Sequence, residues 1–451
     1  MMVEALSAYY RCPAEFCSCF GYALDPSRPA QFFHFRQNTA YGRLDTRSHL
    51  KEGTKASGAI GADAKIQNSQ CLLPFDPDEV VENLRLERYP IKSWLTTGSG
   101  QSGRKAYYAL RSVLPFRLRK YLKRVSLRGW ERKAFPSWPV DRTVDKTLEQ
   151  LMLLAMDTLS VNEVPFIWFW PKEYLGCVLM THDVETTAGL EFCPSLINLN
   201  DHYGIKASFQ IIPKSRYVVT AKLLQRIRER GCEVNVHDWN HDGRLFSSRE
   251  VFLTRVAEIN RCATEWGAEG FRSGALYRNL SWCESFTFSY DLSVPNLGHL
   301  DAQPGGCCTV KPYFIGRLLE IPVTTTQDYM LFYLLGDYSV DLWKRQVELI
   351  LESNGVATFI VHPDYILKKR ERKVYEELLD YLSAVRLDRR LWMTLPGDIN
   401  RWWRDRSKMN LVCDGSGWRI EGPGSERACL AYARRVDGQL VYSILRNGSY
   451  A

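Results

Sequence analysis

Two histidines, His237 and His241, stand four residues apart in the stretch VHDWNHDG, which covers residues 236–243. Four residues of a continuous strand span ~13 Å, whereas imidazole nitrogens that share a metal ion must each lie ~2.0–2.1 Å from it. Both histidines can therefore bind one ion only if the strand ends near His237 and the chain bends after it. The Asp, Asn and Gly residues that follow favour such a bend. The stretch therefore predicts a metal-binding pair, provided that the chain turns after His237.

Other residues that could do chemistry also follow apolar runs. THDVE (181–185) comes directly after CVLM, FRSGALY (271–277) follows a short break, and VHPDY (361–365) ends VATFIV. Together with HDWNH, these groups contain four of the eight histidines of the chain, an arrangement that random scattering would not favour. Each group lies at the C-terminal end of an expected strand, which is where barrel enzymes carry their chemistry.

THDVE offers two carboxylates, Asp183 and Glu185, two residues apart. If strand geometry persists there, both side chains point to the same side. One carboxylate can then bind an ion while the other acts as a base. Two histidines and one carboxylate leave coordination positions open for water and substrate, which is typical of a hydrolytic site.

The order of elements predicts how these groups are positioned. From about residue 176, short apolar runs alternate with helical patterns, which is typical of a parallel sheet covered by helices. Six or seven such units predict an α/β protein with a closed or partly closed barrel. After about residue 405, apolar and polar residues alternate around turns such as Asp437-Gly438 and predict a small antiparallel β extension. The predicted domains are an N-terminal accessory region with flexible loops and a basic helix (1–170), the barrel (171–405) and the β extension (406–451).

These motifs and their order resemble the polysaccharide deacetylase family, which has a NodB-homology domain. THDVE resembles the first motif of that family, and the resemblance implies that Asp183 is the catalytic base and Glu185 a metal ligand. HDWNH resembles the second motif, with Asp238 where Ser or Thr is usual, and implies that His237 and His241 are ligands. The family fold, a distorted (β/α) barrel of about seven units, agrees with the alternation of strands and helices.

The remaining motifs imply three more catalytic residues. FRSGALY resembles the third motif through Arg272, YDLSVP the fourth through Asp291, and IVHP the fifth through His362. The resemblance implies that Arg272 keeps the base ionised and oriented, and that His362 protonates the leaving amine. The resemblance covers about residues 176–405.

Each assignment has a structural alternative. Arg272 could be an ion-pair partner in the core, His362 a buried hydrogen-bonded residue, and Asp291 a turn residue. Glu185 could be an acid at a helix N-terminus, which would leave Asp183 as the metal ligand.

The resemblance implies hydrolysis that removes an acyl group, expected to be N-acetyl, from a sugar or glycan precursor. One divalent ion is the implied cofactor, with Zn²⁺ expected and Co²⁺ or Ni²⁺ also suited to imidazole ligands. Tyr277 and Trp239 are candidates for contacts with the substrate. Two alternatives use the same residues: hydrolysis of a small non-peptide amide, as in allantoinases or sugar deformylases, and a non-catalytic barrel that binds glycan or metal.

The net charge of +8 is concentrated in one segment. Residues 104–133 hold eleven Lys or Arg and one acid, with leucines at helical spacing. The segment predicts either peripheral contact with an anionic membrane or a solvated helix, and no motif supports binding of nucleic acid. No apolar run reaches the ~18 residues of a membrane span, and the N-terminus lacks a signal-peptide pattern. We therefore expect a cytoplasmic protein; of the two interpretations of 104–133, membrane contact would place the protein at the inner face of the membrane, and the solvated helix would not.

Overall fold

The structure, a computed structural model, describes residues 1–22, 27–45, 50–51, 60–91, 129–415, 417–446 and 449–450. The basic segment 104–133 falls largely outside these ranges, so its contact with an anionic membrane stays a prediction. No helix within the described ranges is long and apolar enough to cross a membrane.

The accessory region shares a hydrophobic core with the barrel. Its elements are the helices α1 (Glu4–Tyr10), α2 (Glu15–Ser18), α3 (Pro77–Arg85) and α4 (Thr143–Leu159), and the strands β1 (Phe20–Tyr22), β2 (Gln31–Phe35), β3 (Asn38–Gly42), β4 (Leu50–Lys51), β5 (Ile60–Ala62), β6 (Lys65–Gln67), β7 (Gln70–Leu73) and β8 (Glu163–Ile167). Helix α4 is buried on most of its circumference, as expected of a helix enclosed by its neighbours. Its leucines and methionines belong to one buried cluster with side chains of α1 and of the barrel, including Leu179 and Tyr290. The accessory region is therefore packed against the barrel.

A nine-stranded sheet in the middle of the chain forms the barrel. Its strands are β9 (Gly176–Val184), β10 (Ala207–Ile211), β11 (Glu233–His237), β12 (Gly270–Arg272), β13 (Tyr290–Asp291), β14 (Tyr313–Ile315), β15 (Leu318–Glu320), β16 (Val356–Ile360) and β17 (Leu391–Thr394). Seven of them are parallel neighbours in the order β16, β9, β10, β11, β12, β13, β15. Strand β17 pairs in parallel with the first half of β9, and β14 pairs with β15 in the antiparallel sense. The predicted distorted (β/α) barrel of about seven units is thus confirmed.

Helices follow the strands as the alternation of sequence patterns predicts. They are α5 (Thr187–His202), α6 (Ala221–Glu229), α7 (Arg249–Trp266), α8 (Asp341–Leu351), α9 (Lys369–Asp388) and α10 (Pro396–Ser407). Three begin at a hydroxyl cap: the side chains of Thr186, Thr220 and Ser248 accept hydrogen bonds from backbone N–H groups of the first turn. Helix α7 ends at Gly267, whose φ of 59° is left-handed.

Threonine side chains link the two ends of the row of parallel strands. Thr324, which follows β15, donates from Oγ1 to the carbonyl of Val356 at 2.7 Å and accepts from the N–H of Thr358 at 2.9 Å. Thr325 Oγ1 donates to the carbonyl of Thr358 at 2.8 Å. Because one hydroxyl can donate and accept at once, these threonines connect the β15 end to β16. The chain after β15 and the chain after β16 consequently lie side by side.

The C-terminal residues form antiparallel strands, as the turn signals predict. The strands are β18 (Asn410–Cys413), β19 (Trp418–Glu421), β20 (Leu430–Val436), β21 (Gln439–Arg446) and β22 (Ser449–Tyr450). The hairpin of β20 and β21 turns at Asp437 and Gly438, which both have positive φ, as an Asp-Gly hairpin turn requires. Strand β20 also pairs with β8, so the extension shares a sheet with a segment that precedes the barrel.

Candidate active site

The candidate residues lie at the carboxyl ends of neighbouring parallel strands. Asp183 is the second-to-last residue of β9, and Glu185 directly follows the strand. His237 is the last residue of β11, and Arg272 is the last residue of β12. His362 comes two residues after the end of β16, the other neighbour of β9. Since parallel strands end at the same side of the barrel, these side chains converge there.

The condition placed on the histidine pair is met. Strand β11 ends at His237, and the chain then bends through two left-handed residues, Asp238 with φ 56° and His241 with φ 54°. The bend brings the ring centroids of His237 and His241 to 4.9 Å. Gly274 packs tightly against it, because a Cβ there would lie 2.4 Å from Asp238 Oδ2 and 2.9 Å from His241 Cδ2.

Glu185, His237 and His241 form a cluster of potential metal ligands, with ligand atoms all within 4.8 Å of one another. Nδ1 of His237 lies 3.1 Å from the carbonyl of Arg272 and must be the donor, so Nε2 carries the lone pair. Glu185 Oε1 is 3.7 Å from Nε2 of His237 and 2.9 Å from Nε2 of His241. Within the described ranges, both Nε2 atoms are buried and neither makes a hydrogen bond of acceptable geometry.

These orphaned atoms fit a divalent cation. Leaving buried polar atoms unpaired costs free energy, and a cation among them would accept both lone pairs and the carboxylate. Two imidazoles and one carboxylate are ligands that zinc, cobalt and nickel accept. The three residues that the sequence assigned to the metal are therefore brought together in a suitable arrangement.

Asp183 is held by Arg272 beside this cluster. Nη1 of Arg272, a fully buried residue, donates to Oδ1 of Asp183 at 2.6 Å and to Thr181 Oγ1 at 2.7 Å. The second carboxylate oxygen, Oδ2, lies 3.7 Å from His237 Nε2. Burial alone would raise the pKa of Asp183, but the Arg272 guanidinium and the nearby histidines hold this pKa below its usual value. The carboxylate is thus ionised, with one oxygen anchored and the other facing the cluster.

In the ligand cluster, the carboxylate and the imidazoles each stabilise the charged form of the other. Burial would raise the pKa of Glu185, yet the proximity of His241, His237 and His362 keeps this pKa well below the usual range. Burial would in turn lower the pKa of His241, but the Glu185 carboxylate raises it. Glu185 is therefore a carboxylate at neutral pH, the form that binds a cation.

His362 is oriented by an acid that the sequence analysis missed, Asp328. Nδ1 of His362 lies 2.7 Å from Asp328 Oδ1, and the backbone N–H of His362 donates to Oδ2 at 2.7 Å. The other ring nitrogen, Nε2, is 3.4 Å from Glu185 Oε1 and so faces the cluster. Burial would lower the pKa of His362, but the buried Asp328 carboxylate raises it well above its usual value. The Asp328 carboxylate thereby favours the protonated imidazole, whose Nε2 is directed at the site.

A signal for Asp328 was present in the sequence. It ends the stretch TTTQD (324–328), which follows the apolar residues of LLEIPV. Like Asp183 and His362, Asp328 follows an expected strand, although four polar residues stand between that strand and Asp328.

Asp291 is not placed against the base or the acid in its described contacts. Its Oδ1 accepts from Ser293 Oγ at 2.6 Å, and its carboxyl group lies beside that of Glu320. Burial raises the pKa of Asp291, and burial with the neighbouring Asp291 charge raises that of Glu320. Ser293 Oγ also accepts from the N–H of Ser273 at 2.9 Å, so Asp291 supports the chain after Arg272. A catalytic role for Asp291 stays a prediction.

The two predicted substrate contacts lie on the loops around the cluster. Tyr277 is buried, and its ring lies 3.5 Å from where a Cβ of Gly243 would stand. Trp239, between the two histidines, is half-buried against a hydrophobic cluster that includes Phe252, with Lys214 Nζ 5.4 Å from the ring centroid. Whether either residue touches substrate stays a prediction.

His182, the other histidine at a strand end, is part of the core. It is fully buried, with Nδ1 3.0 Å from the carbonyl of Val361 and Nε2 2.9 Å from the Asn200 amide nitrogen. Both ring nitrogens therefore have partners, which leaves His182 a packing role.

No protein-family model matches the sequence, and no curated protein sequence matches it either. Among solved structures, one from Mycobacterium smegmatis named as a polysaccharide deacetylase is 17% identical, with a TM-score of 0.43, over 53% of this chain and 93% of that chain. The PuuE allantoinase is 13% identical, with a TM-score of 0.41, over 52% of this chain and 92% of that chain.

A third solved structure is the Bc1960 peptidoglycan N-acetylglucosamine deacetylase. It is 11% identical, with a TM-score of 0.34, over 51% of this chain and 90% of that chain. Polysaccharide and peptidoglycan deacetylases, the family that the motifs resemble, are thus among the solved structures to which about half of this chain is similar.

Proposed function

We propose that this protein is a metal-dependent hydrolase that removes an acyl group, most simply N-acetyl, from an amino sugar or glycan precursor. One observation carries the proposal: an arginine-anchored carboxylate, Asp183, and an acid-anchored imidazole, His362, flank the ligand cluster of Glu185, His237 and His241. A base and an acid on either side of a cation site are the groups that hydrolysis of an amide requires.

Asp183 is suited to take a proton from an attacking water. Its Oδ1 is occupied by Arg272, so the proton would be taken by Oδ2, the oxygen that faces the cluster. Arg272 fixes the direction of this oxygen and keeps the carboxylate ionised. A bound divalent cation would supply polarisation of the acyl carbonyl and a more acidic water.

His362 is suited to protonate the leaving nitrogen. With Nδ1 held by Asp328, the proton available to the substrate is on Nε2, which faces Glu185 and the cluster. The Asp328 carboxylate favours the protonated imidazole before the reaction begins. An amine is a poor leaving group without a proton, so this step allows the carbon–nitrogen bond to break.

The proposal is tested by measuring acyl release from metal-loaded protein. Acetate and formate would be measured after incubation with N-acylated monosaccharides, N-acylated polymers and lipid-linked glycans, and with small amides such as allantoin. We expect acetate from an N-acetylated sugar substrate, lost in Asp183→Asn and His362→Gln. His202→Gln is a matched control, because His202 is exposed at the end of α5.

The outcomes separate the alternatives. If only the small amides are hydrolysed, the substrate is a small non-peptide amide and not an acylated sugar. Protein that binds the ion at one equivalent and releases no acyl group from any substrate would contradict an enzymatic role.

A further inference from the structure

The loop that carries His241 has a backbone conformation that its residues rarely adopt. We call residues 237–242 the histidine loop. Within it, Asp238 has a φ of 56° and His241 a φ of 54°. Residues with a Cβ atom seldom occupy this left-handed region, because the Cβ crowds the neighbouring carbonyl oxygen. Such a conformation persists only where surrounding groups stabilise it.

The two histidine ligands differ in how their backbones are held. His237 is the last residue of β11, and its backbone pairs with that of Arg272 in β12. His241 belongs to neither a strand nor a helix, so no ladder of backbone hydrogen bonds fixes it. Its position therefore depends on contacts from other segments.

The segment after β10 binds three successive carbonyl groups of the histidine loop. The N–H of Lys214 donates to the carbonyl of Trp239 at 3.1 Å. Arg216 donates from Nη2 to the carbonyl of His241 at 2.8 Å and from Nε to that of Asn240 at 3.4 Å. The guanidinium of Arg216 thus holds the backbone of the ligand itself and of the residue before it.

Helix α7 binds side chains on both sides of His241. Arg255 donates from Nη1 and Nη2 to the two oxygens of Asp242, each at 2.7 Å, and from Nη1 to Asn240 Oδ1 at 3.4 Å. A guanidinium that binds both oxygens of a carboxylate fixes its orientation as well as its position. The N–H of Arg244 also donates to Asp242 Oδ1, at 2.9 Å. Arg255 therefore holds the residues directly before and directly after the ligand.

We propose that Arg216 and Arg255 are positioning residues that keep His241 in place for the metal ion and thereby set the metal affinity of the site. The inference rests on the proposed function, because it concerns the same cation site. Groups that orient a ligand from outside the coordination shell commonly change metal affinity about 10- to 100-fold. With both arginines in place, the histidine loop is ordered before the ion arrives.

Binding of cobalt tests the proposal without turnover. Protein stripped of metal is titrated with Co²⁺ in competition with a chelator, and the visible absorption of the bound ion reports the ligand geometry. Arg216→Ala and Arg255→Ala should each raise the Kd for Co²⁺ about tenfold. In the double variant, the absorption spectrum should approach that of His241→Ala, because the imidazole is no longer held at the ion. A purely structural role would lower stability and leave this spectrum unchanged.

The partner of Arg255 provides an independent variant. Asp242→Asn removes the same ion pair from the other side and should raise the Kd as much as Arg255→Ala does. Combining the two substitutions should raise the Kd no further, because effects within one pair are not additive. If Arg255→Ala does not fold, Asp242→Asn takes its place.

Arg261→Ala is the matched control. Arg261 is also on α7 and forms ion pairs with Glu258 at 2.5 Å and with Glu265 at 3.1 Å, but its side chain is 62% exposed and both partners are on the same helix. Its loss should leave the Kd and the spectrum unchanged.

The outcomes separate this inference from the proposed function. Folded Arg216 and Arg255 variants that bind Co²⁺ as tightly as the wild type, with its spectrum, would overturn the positioning role and leave the proposed function intact. Wild type that binds one equivalent of Co²⁺ and releases no acyl group would overturn the proposed function alone. Wild type that binds no Co²⁺ would overturn the cation site on which both depend.

Discussion

Asp328 accepts two hydrogen bonds from His362, one from the imidazole Nδ1 and one from the backbone N–H, each at 2.7 Å. The two residues lie on different strand ends, after β15 and after β16, which threonine side chains hold together. A carboxylate that binds both the ring and the backbone of a histidine fixes its rotation and its tautomer. His362 is therefore positioned before any substrate arrives.

Asp328→Asn should reduce turnover and change its pH dependence. The amide keeps the size of the side chain but removes the negative charge that raises the pKa of His362. A general acid is active while protonated, so its raised pKa extends activity to higher pH. In the variant this pKa falls, and the alkaline limb of the kcat/KM profile should move to lower pH. We expect a loss of about 10²-fold near neutrality, and an unmoved limb would reduce Asp328 to a structural residue.

The histidine pair should determine metal content. The Nε2 atoms of His237 and His241 are buried and have no hydrogen-bond partner among the described residues, so each would bind the ion directly. His237→Ala and His241→Ala should each lower the metal content of purified protein from about one equivalent to a small fraction, measured by elemental analysis. The exposed His202→Ala is the control. Equal metal in the wild type and the double variant would show that the site is wrongly assigned.

The meeting of His237 and His241 could be predicted from sequence because its causes are local. An apolar run sets the strand, and the residues after His237 favour a turn, so spacing and residue type together indicated the pair. The alternation of apolar runs and helical patterns likewise indicated the barrel. Strands β12 and β13, of three and two residues, are too short to leave a periodic pattern, and their places came from motifs alone.

Contacts between distant segments could not be predicted in this way. Asp328 and His362 are 34 residues apart, and their strands are joined by threonine side chains rather than by a ladder of backbone hydrogen bonds. The pairing of Ile167 with Leu430 joins segments from either side of the barrel. Nothing in local composition specifies such partners, because the choice depends on the packing of the whole chain.

Replacing each carboxylate of THDVE by the corresponding amide should show which residue is the base and which is the metal ligand. Asp183 Oδ1 is bound to Arg272, while Glu185 Oε1 lies among the three histidines. Asp183→Asn should keep the ion and lose about 10²–10⁴-fold in turnover, because an amide cannot accept the proton. Glu185→Gln should lose both, because an amide oxygen binds a divalent cation less tightly than a carboxylate. Metal content and rate must be measured on the same preparations, and the reverse pattern would exchange the two roles.

A buried ion pair between the accessory region and a loop of the site should contribute to the stability of the protein. Glu87, just after α3, accepts from Arg278 Nε at 2.6 Å and from Arg278 Nη2, and the side chains are 7% and 1% exposed. Arg278 directly follows Tyr277 in the loop after β12, so the pair joins the accessory region to a loop of the site. Removing one member of a buried pair leaves the other charge without a partner, which costs about 3–5 kcal/mol.

Glu87→Gln should therefore lower the free energy of unfolding by an amount of that order, measured by urea titration with the metal content held constant. Glu82→Gln is the matched control. Its partner Arg88 lies at 3.2 Å, but the two side chains are 56% and 52% exposed, and such surface pairs contribute about 0–1 kcal/mol. Because the loop after β12 also carries Tyr277, Glu87→Gln should reduce kcat/KM as well, while Glu82→Gln should not. Equal stability of the two variants would mean that Arg278 finds another partner when Glu87 is neutralised, and the accessory region would then not brace this loop.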